Sequence, residues 1–218
     1  EYKSVHKQMY DNWNTYALAT GQDGDVVELP DYINKDTGVD TDWQDAMQRS
    51  GFLQNYMFSL RGGSDIAQYS ISYNHVDEKG IFLGNNFKQD NARAKLRMSK
   101  YIFDVDANIA FKVTDSQGTK FSLKEMYMIS PLVPIYDETR EYGFGLTDFD
   151  GLPNNRNVMA DHHYKSAWGK SYHTTANIGL TVNFTDWLSF KTSYAYRGEH
   201  SRGGYHNPPY ISDSRSPV

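Results

Sequence analysis

The sequence contains no cysteine in 218 residues, and it contains no long apolar run. The first absence excludes disulfides, thiol catalysis and cysteine-ligated metals. No stretch approaches the ~20 apolar residues of a membrane helix, and the mean hydropathy is −0.70. A helical membrane protein is therefore excluded. A membrane β-barrel is not, because only half of the side chains on its strands are apolar.

The chain also lacks a basic excess and a catalytic signature. Its net charge of −5, without a basic cluster in the sequence, argues against a nucleic-acid partner. There is no Gly-x-Ser-x-Gly motif and no phosphate-cradling glycine loop, so we predict that the protein is not an enzyme. A piece of a β-rich glycoside hydrolase stays an alternative, because that chemistry needs only two suitably spaced carboxylates.

Four stretches of alternating apolar and polar residues follow one another between Gln54 and Lys112. Successive side chains of a strand point to opposite faces, so each stretch predicts a strand with one apolar face. Each covers about 9 to 11 residues, the length at which a tilted strand crosses a bilayer. Two further stretches of this kind lie between residues 173 and 197. The apolar members of the first four are Tyr56, Phe58 and Leu60; Tyr69, Ile71 and Tyr73; Ala92, Ala94, Leu96 and Met98; and Phe103, Val105, Ala107, Ile109 and Phe111.

Aromatic residues make up 15% of the chain and include 17 tyrosines. Several, such as Tyr56, Tyr69 and Phe103, lie towards the ends of the apolar faces, where a membrane barrel carries its interfacial girdles. Short turns also alternate with long loops, which is typical of outer-membrane barrels. A soluble antiparallel domain produces the same alternation of faces. A secreted or surface β-sandwich that binds carbohydrate therefore stays the alternative.

A series of short motifs stands in and around these strands. The motifs are Thr41-Asp42-Trp43, Arg49, Gln54-Asn55-Tyr56, Ser59, Gly62-Gly63-Ser64-Asp65, Tyr69, Ser72, Tyr73, Gly80-Ile81, Phe87 and Asn91-Ala92-Arg93. Their order and spacing resemble the SusC/RagA family of TonB-dependent outer-membrane transporters from Bacteroidetes, and the resemblance continues loosely to about Arg197. It implies an all-β fold, an antiparallel transmembrane β-barrel segment of about six strands out of about 22, with long extracellular loops that carry short helices.

The resemblance also implies an order of segments. Residues 1–53 would form an extracellular loop with two short helices, 54–113 four barrel strands, 114–172 a long extracellular loop, 173–197 two more strands, and 198–218 the start of another extracellular loop. Long and short connections then fall on opposite sides of the membrane, as such barrels require. The chain starts at Glu1 without an initiator methionine or a signal peptide, so we expect a processed or internal segment.

Local patterns predict helices in the loops. Residues Glu1 to Leu18 carry apolar side chains at spacings of three and four, which indicates an amphipathic helix. Thr41 is the expected N-cap of a second helix that Gly51 ends, with Gln44 at the capping-box position. A third short helix is expected over Phe121 to Ile129.

The function implied by the resemblance is TonB-dependent import of an oligosaccharide or peptide nutrient across the bacterial outer membrane. The implied partners are a SusD-like surface lipoprotein, the TonB complex reached through an N-terminal plug, the substrate and the lipid bilayer. We expect no nucleic acid partner. The function and the partners are implied by the family, whereas the exclusion of nucleic acid comes from the charge of the chain.

Two groups of side chains are candidate site residues. Aromatic residues of the long loop could stack on sugar rings or contact a partner, or simply pack the loop together; they are Tyr136, Tyr142, Phe144 and Trp168. Cations on the polar strand faces would line the lumen beside Asp104 and Asp106; they are Arg61, Arg93, Lys95, Arg97, Lys112, Lys191 and Arg197.

No cofactor is expected. Carboxylates alternate with other residues in the segments 21–25, 36–40 and 148–150, and their hard oxygens suit calcium. A solvated loop is the alternative for each segment. Asp161-His162-His163 contains metal-ligating residue types, but no third ligand stands at helical or hairpin spacing.

Overall fold

A computed structural model describes residues 1–34, 38–146 and 156–208. None of the helices in these ranges has the length and apolar character needed to span a membrane. The helices are α1 (Tyr2–Ala19), α2 (Asp31–Asn34), α3 (Trp43–Met47), α4 (Leu123–Met128) and α5 (Val158–Tyr164). The strands are β1 (Phe52–Gly63), β2 (Ala67–Lys79), β3 (Asn86–Lys100), β4 (Phe103–Gln117), β5 (Ser166–Thr185) and β6 (Leu188–His206).

The six strands form one antiparallel sheet in the order of the sequence. Short turns join β1 to β2, β3 to β4 and β5 to β6, as the sequence predicted. The two-residue turn after β3 places Tyr101 at φ 57°, the left-handed conformation that tight hairpins require. The predicted antiparallel arrangement is therefore confirmed, while the full strand number and the closure of a barrel stay predictions.

The strands are longer than the predicted 9 to 11 residues. They range from 12 residues in β1 to 20 in β5, so the expected strand limits at 113, 173 and 197 were wrong. The alternation of apolar residues stops earlier than the hydrogen-bonded pairing, because backbone pairing does not need apolar side chains. β4 and β5, for example, stay paired out to Ser116 and Gly169.

The chain divides into two compact units. The sheet unit comprises residues 49–120 and 166–206, and the loop unit includes residues 1–48 and 121–165. Every buried side chain that the structure describes lies in the loop unit, and no strand residue is buried. Phe58, Ile71 and Leu96 are 62%, 48% and 43% exposed. The apolar face of the sheet therefore does not form the core of a soluble sandwich.

The loop unit carries its own packed interior. Trp43 and Met47, which share a face of α3, are both buried. The indole Nε1 of Trp43 donates a hydrogen bond to the carbonyl of Ser130 at 3.2 Å. A second cluster joins Tyr32 and Ile33 of α2 to Leu132. Contacts between residues far apart in the sequence thus hold the two parts of the loop unit together.

The ends of the predicted helices need correction at α3. The N-cap is Asp42 and not Thr41, because the Asp42 carboxylate accepts hydrogen bonds from the backbone N–H groups of Gln44 and Asp45, both at 3.0 Å. The hydroxyl of Thr41 donates to the carbonyl of Val133 instead. α3 also ends at Met47, before Gly51. The predictions of α1 and α4 are confirmed.

Candidate functional site

The strand register places all seven predicted cations on one face of the sheet, opposite the apolar face. Six of them lie in four adjacent rows that run across the strands, and we call these rows the basic face. Lys112 lies one row further from the short turns. The rows are Ser59, Ser72, Arg93, Ala110, Thr175 and Arg197; Arg61, Ser70, Lys95, Asn108, Asn177 and Ala195; Gly63, Gln68, Arg97, Asp106, Gly179 and Ser193; and Ser99, Asp104, Thr181 and Lys191.

The basic face is concave. An open depression of about 1010 Å³ is lined by four cations and two carboxylates, with polar residues between them. The charged residues are Arg61, Arg93, Lys95, Arg97, Asp65 and Asp106. A second depression, of about 470 Å³, continues past Arg93. The sheet therefore curls towards its polar side, as the wall of a water-filled channel does.

Carboxylates neutralise little of this charge. The Nε of Arg97 lies 2.9 Å from Oδ1 of Asp106. The other carboxylate, Asp104, accepts hydrogen bonds from the hydroxyl of Ser99 and the amide of Asn183. Within the described residues, the remaining five cations of the basic face form no ion pair. The basic face thus presents an excess of four positive charges, six cations against two carboxylates.

The apolar face is built differently, with aromatic rings laid over glycines. The ring of Tyr69 covers Gly62 on the neighbouring strand, where an added Cβ would lie 2.6 Å from the Tyr69 Oη. Trp168 covers Gly204 on the neighbouring strand in the same way, and Tyr196 covers Gly198 two residues further along its own strand. Covering a strand glycine with an aromatic ring restores the contact that the missing side chain would have made.

Comparisons with known proteins agree with this geometry. The chain is 24% identical over 192 residues to the TonB-dependent receptor P3 of Formosa agariphila, matching 79% of this chain and 18% of that receptor. It is 27% identical over 195 residues to the TonB-dependent receptor SusC of Bacteroides thetaiotaomicron, matching 79% of this chain and 19% of SusC. No profile of a known protein family matches the sequence.

Solved structures show the same fold. A structure of the RagAB peptide importer in its closed-closed state matches with a TM-score of 0.64 at 16% identity, over 80% of this chain and 21% of that one. A structure of the RagAB peptide transporter matches with a TM-score of 0.63 at 17% identity, over 81% of this chain and 21% of that one. The chain is similar to part of the SusC/RagA-like TonB-dependent receptors and transporters.

The SusC/RagA-like chain spans about a fifth of the length of the relatives it matches. Those relatives are receptors and transporters, not enzymes. Receptors of this kind are outer-membrane proteins, and the sheet belongs to that membrane. The exposed apolar face suits contact with lipid, and the polar face suits contact with water.

The four predicted aromatic contacts occupy three different environments. Tyr136 is 64% exposed and pairs with Phe144 at a ring-centroid distance of 5.5 Å. Phe144 is buried, and it packs the loop. Tyr142 packs edge-on against Tyr164 at 5.9 Å. Trp168 lies within β5 and not in the long loop, because pairing with β6 continues to Ser166 at the start of that strand. Tyr136 and Trp168 are the members most open to a ligand.

A short turn between the paired residues Tyr136 and Phe144 is held by Asp137. Its carboxylate accepts hydrogen bonds from the hydroxyl and the backbone N–H of Thr139 at 2.6 and 3.0 Å. The Nε of Arg140 lies 3.2 Å from Oδ2 of Asp137. The Thr139 bonds, and then the Arg140 cation, lower the pKa of the Asp137 carboxyl. The turn therefore holds a charged carboxylate at neutral pH, one residue beyond the bridge between Tyr136 and Phe144 at its base.

Sequence reasoning missed the polar centre of the loop unit, which is Asn157. This side chain is fully buried. Its amide donates to the carbonyls of Ile135 and Gly145 at 2.9 and 2.8 Å, and more weakly to that of Pro134 at 3.3 Å. Its oxygen accepts from the N–H groups of residues 159 and 160, both at 3.1 Å, as the N-cap of α5. Asparagine before an apolar helical run was the available signal.

Asp161 is the second buried polar group of the loop unit. Its carboxylate lies 2.9 Å from Nζ of Lys165 and 2.9 Å from Nε of Arg156. Asp161 is 1% exposed and Lys165 is 7% exposed. The i, i+4 spacing of Asp161 and Lys165 on α5 was a signal for this pair. These two cations therefore hold the carboxylate of the Asp161-His162-His163 motif.

The predicted calcium segments lie partly outside the described residues. Asp36, Asp148 and Asp150 belong to ranges that the structure does not describe. Among the residues it does describe, no three His, Asp or Glu side chains converge as metal ligands would. Calcium in the extracellular loops stays a prediction.

Proposed function

We propose that the protein containing this sheet imports a nutrient oligomer, an oligosaccharide or a peptide, across the outer membrane in a TonB-dependent manner. The observation that carries the proposal is the asymmetry of the sheet, with an exposed apolar face on one side and a concave polar face on the other. The similarity to SusC, to receptor P3 and to the RagAB importer supports the same function.

The two faces suit the two surroundings of a channel wall. Strand pairing satisfies the backbone hydrogen bonds along β2 to β5, which a bilayer interior requires. The side chains that face lipid are apolar or aromatic, while the opposite side offers hydroxyl, amide and cationic groups to a hydrated solute. A solute that moves along this wall exchanges hydrogen bonds with water for hydrogen bonds with the wall at small net cost.

The proposed partners follow from the same similarity. A SusD-like surface lipoprotein would deliver the oligomer at the extracellular side, where the loop unit and the exposed Tyr136 lie in the predicted topology. TonB would supply energy through a plug. The loop unit suits a contact with a partner, because its packed interior gives its surface a fixed shape.

Uptake by living cells tests the proposal. Cells that express the full-length protein are supplied with fluorescent oligosaccharides and, separately, fluorescent peptides, with TonB present or deleted. We expect accumulation of one class only when both TonB and the transporter gene are intact. Equal accumulation without TonB would overturn the proposal, because passive entry through a pore needs no energy coupling. The two arms also decide between a sugar and a peptide.

A further inference from the structure

We propose that Lys170 and Arg202 bind the phosphate of a phosphorylated glycolipid in the outer leaflet of the membrane. Both residues lie on the apolar face of the sheet, in the row where apolar side chains give way to charged ones. We call it the charged row, and it consists of Gln54, Asp77, Lys88, Asp115, Lys170 and Arg202. The inference goes beyond import, and it rests on the predicted topology, in which the long connections beside this row are extracellular.

The charged row lies at the height where the hydrocarbon of a bilayer should end. On β4, every second residue from Phe103 to Val113 is apolar, and Asp115 stands at the next position of the same face. This stretch of about ten residues is about 34 Å long in an extended strand. A strand tilt of about 35 to 45° reduces its height to about 24 to 28 Å, which matches the apolar band, about 25 Å tall, of an outer-membrane barrel. The charged row is therefore at the level of the lipid headgroups.

The rest of the protein would leave this face uncovered. The sheet curls towards its polar side, so the further strands of a closed barrel would surround the polar side and leave the apolar side outermost. A plug would lie inside the barrel, on the polar side. A strand paired with β6 would lie beside Arg202 in the sheet and not over it. Lys170 and Arg202 therefore meet the membrane surface and not the channel.

Two cations of the charged row converge on one aromatic ring. The Nζ of Lys170 lies 5.7 Å from the ring centroid of Tyr172, and the guanidinium carbon of Arg202 lies 6.0 Å from the same centroid. Lys170 and Arg202 are also cross-strand partners, and such partners stand on strands about 5 Å apart. Like charges directly opposite each other are destabilising. An anion held between the two cations would relieve this repulsion.

The carboxylates of the charged row do not neutralise this pair. Asp77 binds Lys88 instead, with a distance of 2.9 Å between its Oδ2 and the Nζ of the lysine. Within the described residues, Asp115 forms no ion pair, and neither do Lys170 and Arg202. Even with Asp115 counted, these three residues keep a net positive charge. The pair thus stays available to an anionic headgroup.

The groups around the pair suit a sugar phosphate. A phosphate has several acceptor oxygens, so it can bind the guanidinium of Arg202 and the ammonium of Lys170 at the same time. Trp168 stands at the next position of the same face, further from the apolar band, and it is 47% exposed. Its ring offers a surface on which a sugar can stack. Phosphorylated glycolipids form the outer leaflet of a bacterial outer membrane, so they are the anionic lipids available at this level.

Lipid binding by the purified full-length protein, stripped of its own lipid in detergent, tests the proposal. The probes are monophosphoryl lipid A, the same lipid after dephosphorylation, phosphatidylglycerol and inorganic phosphate, each titrated by thermophoresis. We expect monophosphoryl lipid A to bind most tightly. Equal binding of the dephosphorylated lipid would overturn the proposal, because the two cations would then only extend into water. Equal binding of phosphatidylglycerol would contradict a glycolipid, and equal binding of inorganic phosphate would contradict a lipid.

Variants assign the binding to the two cations. The double variant Lys170→Gln, Arg202→Gln should raise the Kd of monophosphoryl lipid A by about tenfold or more, since each cation beside an anionic headgroup contributes about fivefold in affinity. The control Lys100→Gln, Lys124→Gln removes the same charge at two other exposed positions. Lys100 lies at the opposite end of the same face of the sheet. The control should leave Kd unchanged, and equal losses in the two variants would show a net-charge effect and contradict the site.

The ring of Tyr172 provides a second test, because it positions the cations without needing to touch the lipid. Tyr172→Leu keeps an apolar side chain but removes the ring, and it should raise Kd by about threefold or more. Tyr172→Phe keeps the ring and should restore the affinity of the parent. A phenylalanine variant as weak as the leucine variant would refute this positioning role.

A charge-preserving variant separates binding from packing. Lys170→Arg, Arg202→Lys keeps both charges, and it should retain most of the affinity that the glutamine variant loses. If both variants lose binding equally and also unfold at a lower temperature without lipid, the two cations pack against another segment of the protein and the proposal is wrong. The assay needs neither TonB nor a nutrient, so a failure of import leaves this inference intact.

Discussion

Replacing Asn157 should destabilise the loop unit by more than the free energy of one helix cap. The Asn157→Ala variant removes the N-cap of α5, which costs about 1 kcal/mol. It also leaves the buried carbonyl of Gly145 without its donor, which costs about 1 to 3 kcal/mol. The carbonyl of Ile135 keeps the backbone N–H of Gly145 as a donor. The expected cost is thus about 2 to 4 kcal/mol, against about 1 kcal/mol for Ser122→Ala, which removes only the cap of α4.

The isosteric variant Asn157→Asp gives the sharper test. Aspartate keeps the acceptor that caps α5, but it has no amide donor and places a carboxylate beside carbonyl oxygens. We expect its cost to equal or exceed that of alanine. Hydrogen exchange of the backbone amides of Met159 and Ala160, followed by mass spectrometry on the full-length protein, measures the free energy of local opening. An aspartate variant within about 1 kcal/mol of the parent would refute the role of the donated bonds.

Three more changes have defined outcomes. Asp161→Asn leaves the cation of Lys165 buried without its carboxylate, which should destabilise the loop unit by about 3 to 5 kcal/mol and speed proteolysis there. Gly62→Ala drives a methyl group into the Tyr69 ring and should lower the unfolding temperature of the sheet in detergent, at a cost of about 1 kcal/mol or more. Burial raises the pKa of Tyr32 to about 12, so its contribution to stability is complete below pH 10 and is lost as the pH rises from 10 to 12.

Each of these predictions has a control. Gly118→Ala adds the same methyl group where nothing lies within 4 Å, and it should leave the unfolding temperature unchanged. Tyr32→Phe should remove the loss of near-ultraviolet circular dichroism between pH 10 and 12. For Asp161, proteolysis at Lys100, beside the short turn between β3 and β4 of the sheet unit, reports any general loosening; a uniform increase in cleavage would contradict an effect confined to the loop unit.

The sheet was predictable from the sequence because local physics determines it. Alternation at a period of two identified the six strands, and Gly62-Gly63-Ser64-Asp65 marked the first tight turn. The same alternation of side chains predicted that all seven cations lie on the polar face, where the strand register places them. The ends of the strands were less predictable, because polar residues such as Asp115 and Ser116 pair as readily as apolar ones once a ladder has formed.

The loop unit was less predictable because long-range contacts decide it. Thr41 and Asp42 are both good N-caps, and only the bond from Thr41 to Val133, 92 residues away, shows why Asp42 caps α3. Asn157 likewise contacts carbonyls 12 to 23 residues earlier in the chain. Alternation carries no signal for such bonds. The positions of the candidate cations could therefore be predicted, whereas the centre of the loop unit could not.

The buried side chains lie in the connecting segments and not in the strands. Loops and strands should therefore differ from those of most proteins in how well they tolerate amino-acid substitutions. In most globular proteins, connecting segments accept substitutions and strands resist them. Here the strand positions that meet lipid need only remain non-polar, so leucine, valine and phenylalanine should interchange freely there. Tightly fitted residues such as Met47, Val133 and Val158 should accept almost nothing else. The sequences of related transporters should then differ at the exposed positions of their loops, while the buried loop residues stay nearly constant.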